Sequence, residues 1–275
     1  MLPEFVLFGH EFHSYPVVAI LSVITGLILV CIQSRKLGYS FVFSLLLMSG
    51  ILVGFFVGAR LLNVAVNFSY FRLNPGAVLG LSFKGFSVIG GVFVSGVLLV
   101  IIHNIWKKDI LKFFDSISIP FLFSFSMMKF GCFLNGCCSG KATTSCLGIV
   151  FPSKETVADP VKILNFLSGF VFGVKKVLPT QLFESVLALV IVIIVALVSK
   201  KHLQKRGDVF AFSMLLFFLM RLSVHFFRVF SYSPVIVYFV YPLIYLVFIN
   251  LSILWLCRRE FIENLLNLIL SKIVQ

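Results

Sequence analysis

Acidic side chains are scarce in this chain: 10 Asp and Glu stand against 23 Lys and Arg, and charged residues of both signs fill only 12% of 275 positions. A soluble domain carries about twice that charged fraction, so water is excluded as the main solvent of the fold. Internal repeats, low-complexity tracts and the inverted symmetry of many transporters are also lacking, which argues against a solenoid or a transporter. No basic segment precedes the first apolar run and no small-residue cleavage site follows it; that run is expected to stay as an anchor and not to leave as a signal peptide. The spacing of the six cysteines matches no standard zinc pattern, which needs two C-x2-4-C elements as a pair, so spacing alone gives no reason to expect a metal. Basic residues form no stripe interleaved with aromatics, and the net charge of +13 therefore does not point to nucleic acid.

What is present is apolar length. Hydrophobic residues make up 60% of the chain, and a helix needs about 20 mostly apolar residues to cross the hydrocarbon core. Seven stretches qualify, near 16 to 34, 41 to 67, 86 to 105, 113 to 135, 180 to 199, 208 to 230 and 234 to 257. The expected fold is an all-α polytopic membrane protein of about seven transmembrane helices, with one membrane domain over 1–260. Arg35/Lys36, Lys107/Lys108/Lys112, Lys200/Lys201/Lys205/Arg206 and Arg258/Arg259 mark alternate connections, which places the N-terminus outside and the C-terminus in the cytoplasm. Two outward connections exceed hairpin length: 68–85, with an Asn74-Pro75-Gly76 turn, and 136–179, with a short strand expected at Leu147 to Phe151. The tail 261–275, apolar nearly all round from Phe261 to Val274, is expected to lie as a helix on the cytoplasmic interface.

Charge within a span is costly and usually faces a cavity or a partner. Arg60, Asp115, Lys129, Glu184, Arg221 and His225 fall within spans, and Arg228 lies near the outer end of one. The topology puts Arg60, Lys129, Arg221 and Arg228 in the outer half of the membrane. Guanidinium forks in a dry site suit phosphate, so an anionic lipid headgroup is the expected guest; snorkelling to the headgroup layer is the plainer account of the arginines. Asp115 reads as a helix-end cap, and Glu184 as a cap or as the countercharge of Arg221. Gly90-Gly91 admits either a headgroup or a neighbouring helix. Cys132, Cys137, Cys138 and Cys146 cluster in and after the fourth span, where apolar packing, a disulfide or a reactive thiol all remain open.

The run Lys129-Phe130-Gly131-Cys132-Phe133-Leu134-Asn135-Gly136-Cys137-Cys138-Ser139-Gly140 resembles the signature loop of the prolipoprotein diacylglyceryl transferases, G-R-x-G-N-F-x-N-G-E-x-x-G. Gly58-Ala59-Arg60 resembles the family's G-G-R, Gly85-Phe86-Ser87-Val88-Ile89-Gly90-Gly91 its G-M-S-F-H-G-G, and Leu178-Pro179-Thr180-Gln181-Leu182-Phe183-Glu184 its H-P-S-Q-L-Y-E. Gly207-Asp208 followed by Arg221 and Phe226-Phe227-Arg228 is similar to a later pattern, Tyr15 matches an N-terminal tyrosine and Asp115 an aspartate before the signature. Several weak motifs in the right order are more specific than any one of them.

The resemblance implies a seven-helix bacterial inner-membrane enzyme with a periplasmic head. It implies transfer of a diacylglyceryl group from phosphatidylglycerol to the lipobox cysteine of a prolipoprotein, with membrane lipids as further partners and no cofactor. Departures from the family pattern are several. Ile89 stands for a histidine, Lys129 for an arginine, Cys132 for an asparagine and Cys137 for a glutamate; Leu178, Phe217 and His225 stand for a histidine, a tyrosine and a glutamate. The expected roles are therefore Arg221 and Arg228 for phosphate, Lys129 with Asn135 for the reacting headgroup, and His225 for thiol deprotonation. The resemblance adds Tyr15, Arg60, Gly90, Gly91, Gly136, Gln181 and Glu184 to the substrate-binding set. Two rival expectations are variant thiol or acyl chemistry at Cys137 and Cys138, and a lipid-binding protein without catalysis.

Overall fold

The computed structural model describes residues 4–7, 10–79, 88–106, 109–150, 176–203, 205–230 and 234–273. The protein is an all-α polytopic membrane protein. Its elements are β1 (Glu4–Leu7), β2 (His10–His13), α1 (Ser14–Lys36), α2 (Phe41–Val66), α3 (Phe68–Leu73), a 3-10 turn (Pro75–Leu79), α4 (Val88–Trp106), α5 (Ile110–Asn135), α6 (Thr180–Ser199), α7 (Asp208–His225), a π-helical turn (Ile236–Val240) and α8 (Tyr241–Ile273). Among the described residues six helices are long and apolar enough to cross a membrane, the last counted over Ile236–Cys257. The third expected span falls on α4, whose 19 residues include no Asp, Glu, Lys or Arg. Its expected start, Phe86, lies outside the described residues, as do 80–85 of the first long connection and 151–175 of the second.

Three local features differ from expectation. An antiparallel pair, β1 with β2, precedes α1 in the register Glu4↔His13 to Leu7↔His10. The span expected to reach residue 230 ends as a helix at His225, because the backbone of Gly140 pairs with that of Arg228 and draws the chain aside. Of the strand expected at Leu147 to Phe151, Ile149 makes a lone bridge to Val177, and Phe151 lies outside the described residues. The last helix runs unbroken through Arg258 and Arg259 to Ile273.

The chain forms two compact units, 27–116 and the remainder, and the division falls inside α1 and α5. In the smaller unit α2 lies against α4. A side-chain carbon on Gly58 would meet the Gly90 carbonyl and Val94, one on Gly90 would meet the Gly58 carbonyl and Leu62, and one on Gly91 would meet the Phe55 ring. Without Cβ atoms the two backbones approach closely, which is the usual basis of helix packing in lipid; Ser95 Oγ adds a hydrogen bond across the pair to the Ile51 carbonyl at 3.1 Å. In the larger unit Leu122 of α5, Ala188, Ile191 and Val195 of α6 and Phe217, Met220 and Val224 of α7 form the core. The spacing of the α6 residues, three and four apart, is that of one helix face.

Candidate functional site

The α6 face that carries this core turns polar at its N-terminal end: Thr180, Gln181, Glu184 and Ser185 are buried there. Ser126 of α5 and Ser185 bind reciprocally, each hydroxyl donating to the other's carbonyl, at 2.8 and 3.0 Å. That clasp draws α5 against α6 and sets Lys129, one turn beyond Ser126, opposite Glu184. Lys129 Nζ lies 2.6 Å from Glu184 Oε2. Arg221 of α7 donates from Nη1 to Glu184 Oε1, and Arg228, just past α7, places Nη1 3.4 Å from the same oxygen. The Glu184 side chain is 1% exposed. Three cations thus share one buried carboxylate, and the four groups sum to two positive charges.

Aromatic rings hold the cations in place. Lys129 Nζ lies 5.3 Å from the Phe125 ring centre and the Arg228 guanidinium 5.2 Å from that of Phe230. Arg221 lies 5.8 Å from the Tyr245 ring and donates from Nη2 to Tyr245 Oη at 3.3 Å. Cation–π attraction of this kind strengthens where water is excluded.

His225 stands on the last turn of α7. Its Nε2 is 2.7 Å from the Val237 carbonyl, and a carbonyl only accepts, so Nε2 carries the proton and Nδ1 the lone pair in the neutral ring. The carbonyl is open for a reason legible in the backbone. In the π-helical turn the Tyr241 amide bonds to the Ile236 carbonyl, so the next donor in that register is residue 242, a proline without an N–H.

The α5 C-terminus ends in a glycine cap. Gly136, at φ 72°, bonds its amide to Phe133 O at 3.2 Å, and Cys137 bonds to Cys132 O at 3.1 Å. These are the two bonds of a Schellman motif, which needs a left-handed residue after the helix; Asn135 is the half-buried residue that closes the helix. Cys138 is left-handed as well, at φ 64°. The cysteine loop is held on both sides: Gln181 Nε2 donates to Cys137 O at 2.6 Å and Thr180 Oγ1 to Cys138 O at 3.1 Å, while Lys141 N bonds to Phe227 O at 2.8 Å. The sulfurs of Cys132, Cys137 and Cys138 lie within 4.8 Å of one another. Hydrogen bonding from the Cys132 and Cys137 thiols, with a smaller pull from Arg228 and Lys129, holds the Cys138 thiol well below its ordinary range. Tyr15, near the start of α1, is close enough to interact electrostatically with all three thiols.

Lys129, Glu184, Arg221, Arg228, Gln181, His225, Asn135, Gly136, Cys137, Cys138 and Tyr15 therefore belong to one unit, and Glu184 is the countercharge of Arg221. Arg60, Gly90, Gly91 and Asp115 belong to the other. There Arg60 donates from Nε to Val78 O at 2.9 Å and from Nη2 to Ala77 O, and stacks on Phe71, so its fork ties down the turn after α3. Asp115 is half-buried in α5. Sequence reasoning missed Tyr245, Thr180 and the Ser126–Ser185 clasp. Tyr245 had a signal, a hydroxyl amid a span.

Among the described residues, three buried polar atoms at this site have no hydrogen-bond partner: Arg228 Nε, Gln181 Oε1 and His225 Nδ1. Buried polar atoms are nearly always satisfied, and one donor and two acceptors beside a surplus of positive charge suit a ligand that carries both an anion and hydroxyls.

The family pattern described as prolipoprotein diacylglyceryl transferase matches residues 3–258. A phosphatidylglycerol–prolipoprotein diacylglyceryl transferase of Clostridium tetani is 26% identical over 227 residues, 82% of this chain and 84% of that one. A protein of the same name from Dehalococcoides mccartyi is 26% identical over 174 residues, 63% of this chain and 60% of its own. The enzyme numbered 2 in Clostridium perfringens is 24% identical over 229 residues, 81% of each chain.

Proposed function

Since the chain belongs to the prolipoprotein diacylglyceryl transferase family and is a bacterial multi-pass membrane protein, we propose that it transfers the diacylglyceryl group of phosphatidylglycerol to the lipobox cysteine thiol of prolipoproteins. The observation that carries this reading is the buried cluster of Lys129, Arg221 and Arg228 around Glu184, with its net positive charge and the spare Arg228 Nε donor. A phosphodiester headgroup brings the missing anion, and its glycerol hydroxyls suit Gln181 Oε1.

In the reaction, the thiolate sulfur attacks the glycerol carbon and glycerol phosphate leaves with the bonding electrons. Negative charge builds on the departing phosphate, where preorganised cations stabilise it most in a site that excludes water. Arg221 and Arg228 take that role, and Lys129 and Asn135 orient the headgroup; His225, with Nδ1 unprotonated in the neutral ring, is a side chain here that can accept a proton. Gly90 and Gly91 act by letting α4 pack on α2, and Arg60 by ordering the arm after α3.

The proposed orientation is N-terminus outside and C-terminus cytoplasmic. Its support is that Glu184 and Lys200/Lys201 lie at opposite ends of α6, so the basic connection faces inward when the site faces outward. We assign 1–260 to the membrane domain, 68–85 and 136–179 to its periplasmic head, and 261–275 to a cytoplasmic interfacial helix. The test is reconstitution with phosphatidylglycerol and a lipobox peptide: a thioether product and released glycerol phosphate are expected, and both vanish in Arg221→Ala. Lipid binding by folded protein without product would refute transfer and leave a binding protein.

A further inference from the structure

Transfer needs a thiolate, and the side-chain base is poorly placed to make one. His225 is 2% exposed, and its ring is enclosed by Phe226, Phe230, Tyr241 and Tyr245, with centroid separations of 5.5, 4.7, 5.9 and 5.6 Å. Nδ1 itself is buried, so a cysteine from another protein reaches it only when neighbouring side chains move.

The cysteine loop offers a different way to handle a thiol. The spacing of Cys132, Cys137 and Cys138 carries no zinc pattern, yet folding brings their sulfurs within 4.8 Å of one another, and none is in a disulfide. Zinc–sulfur bonds of about 2.3 Å put the sulfurs of a tetrahedral site about 3.8 Å apart, so each pair closes by about 1 Å at most. Thiolate donors select soft d10 ions. Cys132 is buried, Cys137 intermediate and Cys138 exposed, so the trio runs from the interior to the surface; three protein ligands leave a fourth position to fill, as in zinc sites that act on a substrate. The ligands are fixed by the Schellman cap and by the hydrogen bonds from Gln181 and Thr180. Charge also balances: three thiolates and a divalent ion sum to one negative charge, with Lys129 and Arg228 near enough to act on Cys138.

We propose that Cys132, Cys137 and Cys138 form a Zn(II) site whose open fourth position binds the acceptor cysteine as a thiolate. This rests on the transfer reading and deepens it. A thiol that coordinates zinc gives up its proton, and a site already carrying a net negative charge keeps the bound sulfur nucleophilic. The S–C bond forms as the C–O bond to phosphate breaks; the electron pair leaves on the glycerol phosphate oxygen, and the thiol proton passes to that phosphate or to water. No oxidant or reductant is required. The thioether is a weaker ligand than the thiolate, so product formation releases the acceptor.

The test uses reduced, metal-stripped full-length protein in phosphatidylglycerol nanodiscs, titrated with Zn(II) and in parallel with Co(II), whose thiolate charge-transfer and d–d bands count sulfur ligands. One ion per chain is expected. Affinity falls by about 100-fold or more in Cys138→Ser and in Cys132→Ser, and is unchanged when Cys31, Cys146 and Cys257 are all replaced by Ser. A lipobox peptide adds a fourth-thiolate signature to the Co(II) spectrum, and the serine form of the peptide adds none. Substoichiometric binding, or binding indifferent to Cys138→Ser, overturns the site; a spectrum blind to the peptide overturns the open position. Transfer falls further in Cys138→Ser than in His225→Gln, and the reverse order returns deprotonation to His225. Equal transfer by metal-stripped protein removes the metal and leaves the transfer reading standing. Metal binding and peptide capture without thioether remove the transfer reading and leave the site standing.

Discussion

Glu184→Gln keeps the volume of the side chain and an accepting oxygen but removes the negative charge shared by Lys129, Arg221 and Arg228. A pair of opposite unit charges 4 Å apart is worth about 4 kcal/mol at an effective dielectric of about 20, and stripping one partner from a buried ion set costs about 3–5 kcal/mol. The Arg221 and Arg228 side chains keep 17% and 11% exposure, which favours the lower end, about 3 kcal/mol. At about 2–4 °C per kcal/mol for a chain of this size, Tm in phosphatidylcholine nanodiscs falls by about 6–12 °C. Phosphatidylglycerol supplies the lost anion and stabilises whatever binds it. It therefore raises the Tm of the variant more than that of the unsubstituted protein, and phosphatidylcholine does not. Thermal unfolding of both proteins in both lipids measures this. Equal Tm values in phosphatidylcholine would refute the buried ion cluster, and an equal phosphatidylglycerol increment would refute its role as a headgroup site.

Arg221→Lys keeps the charge on Glu184 but cannot also reach Tyr245, and with one donor lost the transfer rate falls about 100-fold; a rate within a factor of about three would show that the fork is not used. Gly90→Ala drives a methyl into the Gly58 carbonyl and costs about 1–3 kcal/mol, read as a lower Tm. Gly96→Ala, with nothing within 4 Å of the added carbon, leaves Tm unchanged or raises it. In protein carrying Cys138 as its one cysteine, a membrane-impermeant maleimide added outside intact cells labels the exposed thiol. Protein whose one cysteine is Cys257, at the far end of the last span, labels only after the membrane is permeabilised. The opposite pattern would invert the proposed topology.

The spans were legible because apolar length is a composition property; most of their ends moved by three residues or fewer, and the larger shift at His225 has a local reason, the bridge from Gly140 to Arg228 that turns the chain aside. The ion cluster was legible in outline for a physical reason. A charge that cannot be hydrated must find a countercharge, which made Glu184 a candidate partner of Arg221; that Lys129 and Arg228 share the same carboxylate was not legible, because helix packing and not hydropathy brings them there. Arg60 obeyed the same rule differently: backbone carbonyls of Ala77 and Val78 satisfied it, and hydropathy cannot distinguish a carbonyl partner from a carboxylate.

The thiol cluster was hidden by counting along the chain in place of following it. Cys132 and Cys137 are five residues apart, and no helix face or strand joins residues at that spacing. Asn135-Gly136 carried the missing instruction. A glycine cap returns the chain over the last turn, so the second residue after the cap meets the third before it, and here those residues are Cys137 and Cys132, joined from N–H to carbonyl at 3.1 Å. The left-handed Cys138 then continues the reversal, and Gln181 and Thr180 hold it in place one turn from Glu184. The same short turn that ends α5 thus sets three sulfurs near Lys129 and Arg228, which is where the proposed acceptor thiolate and departing phosphate would have to meet.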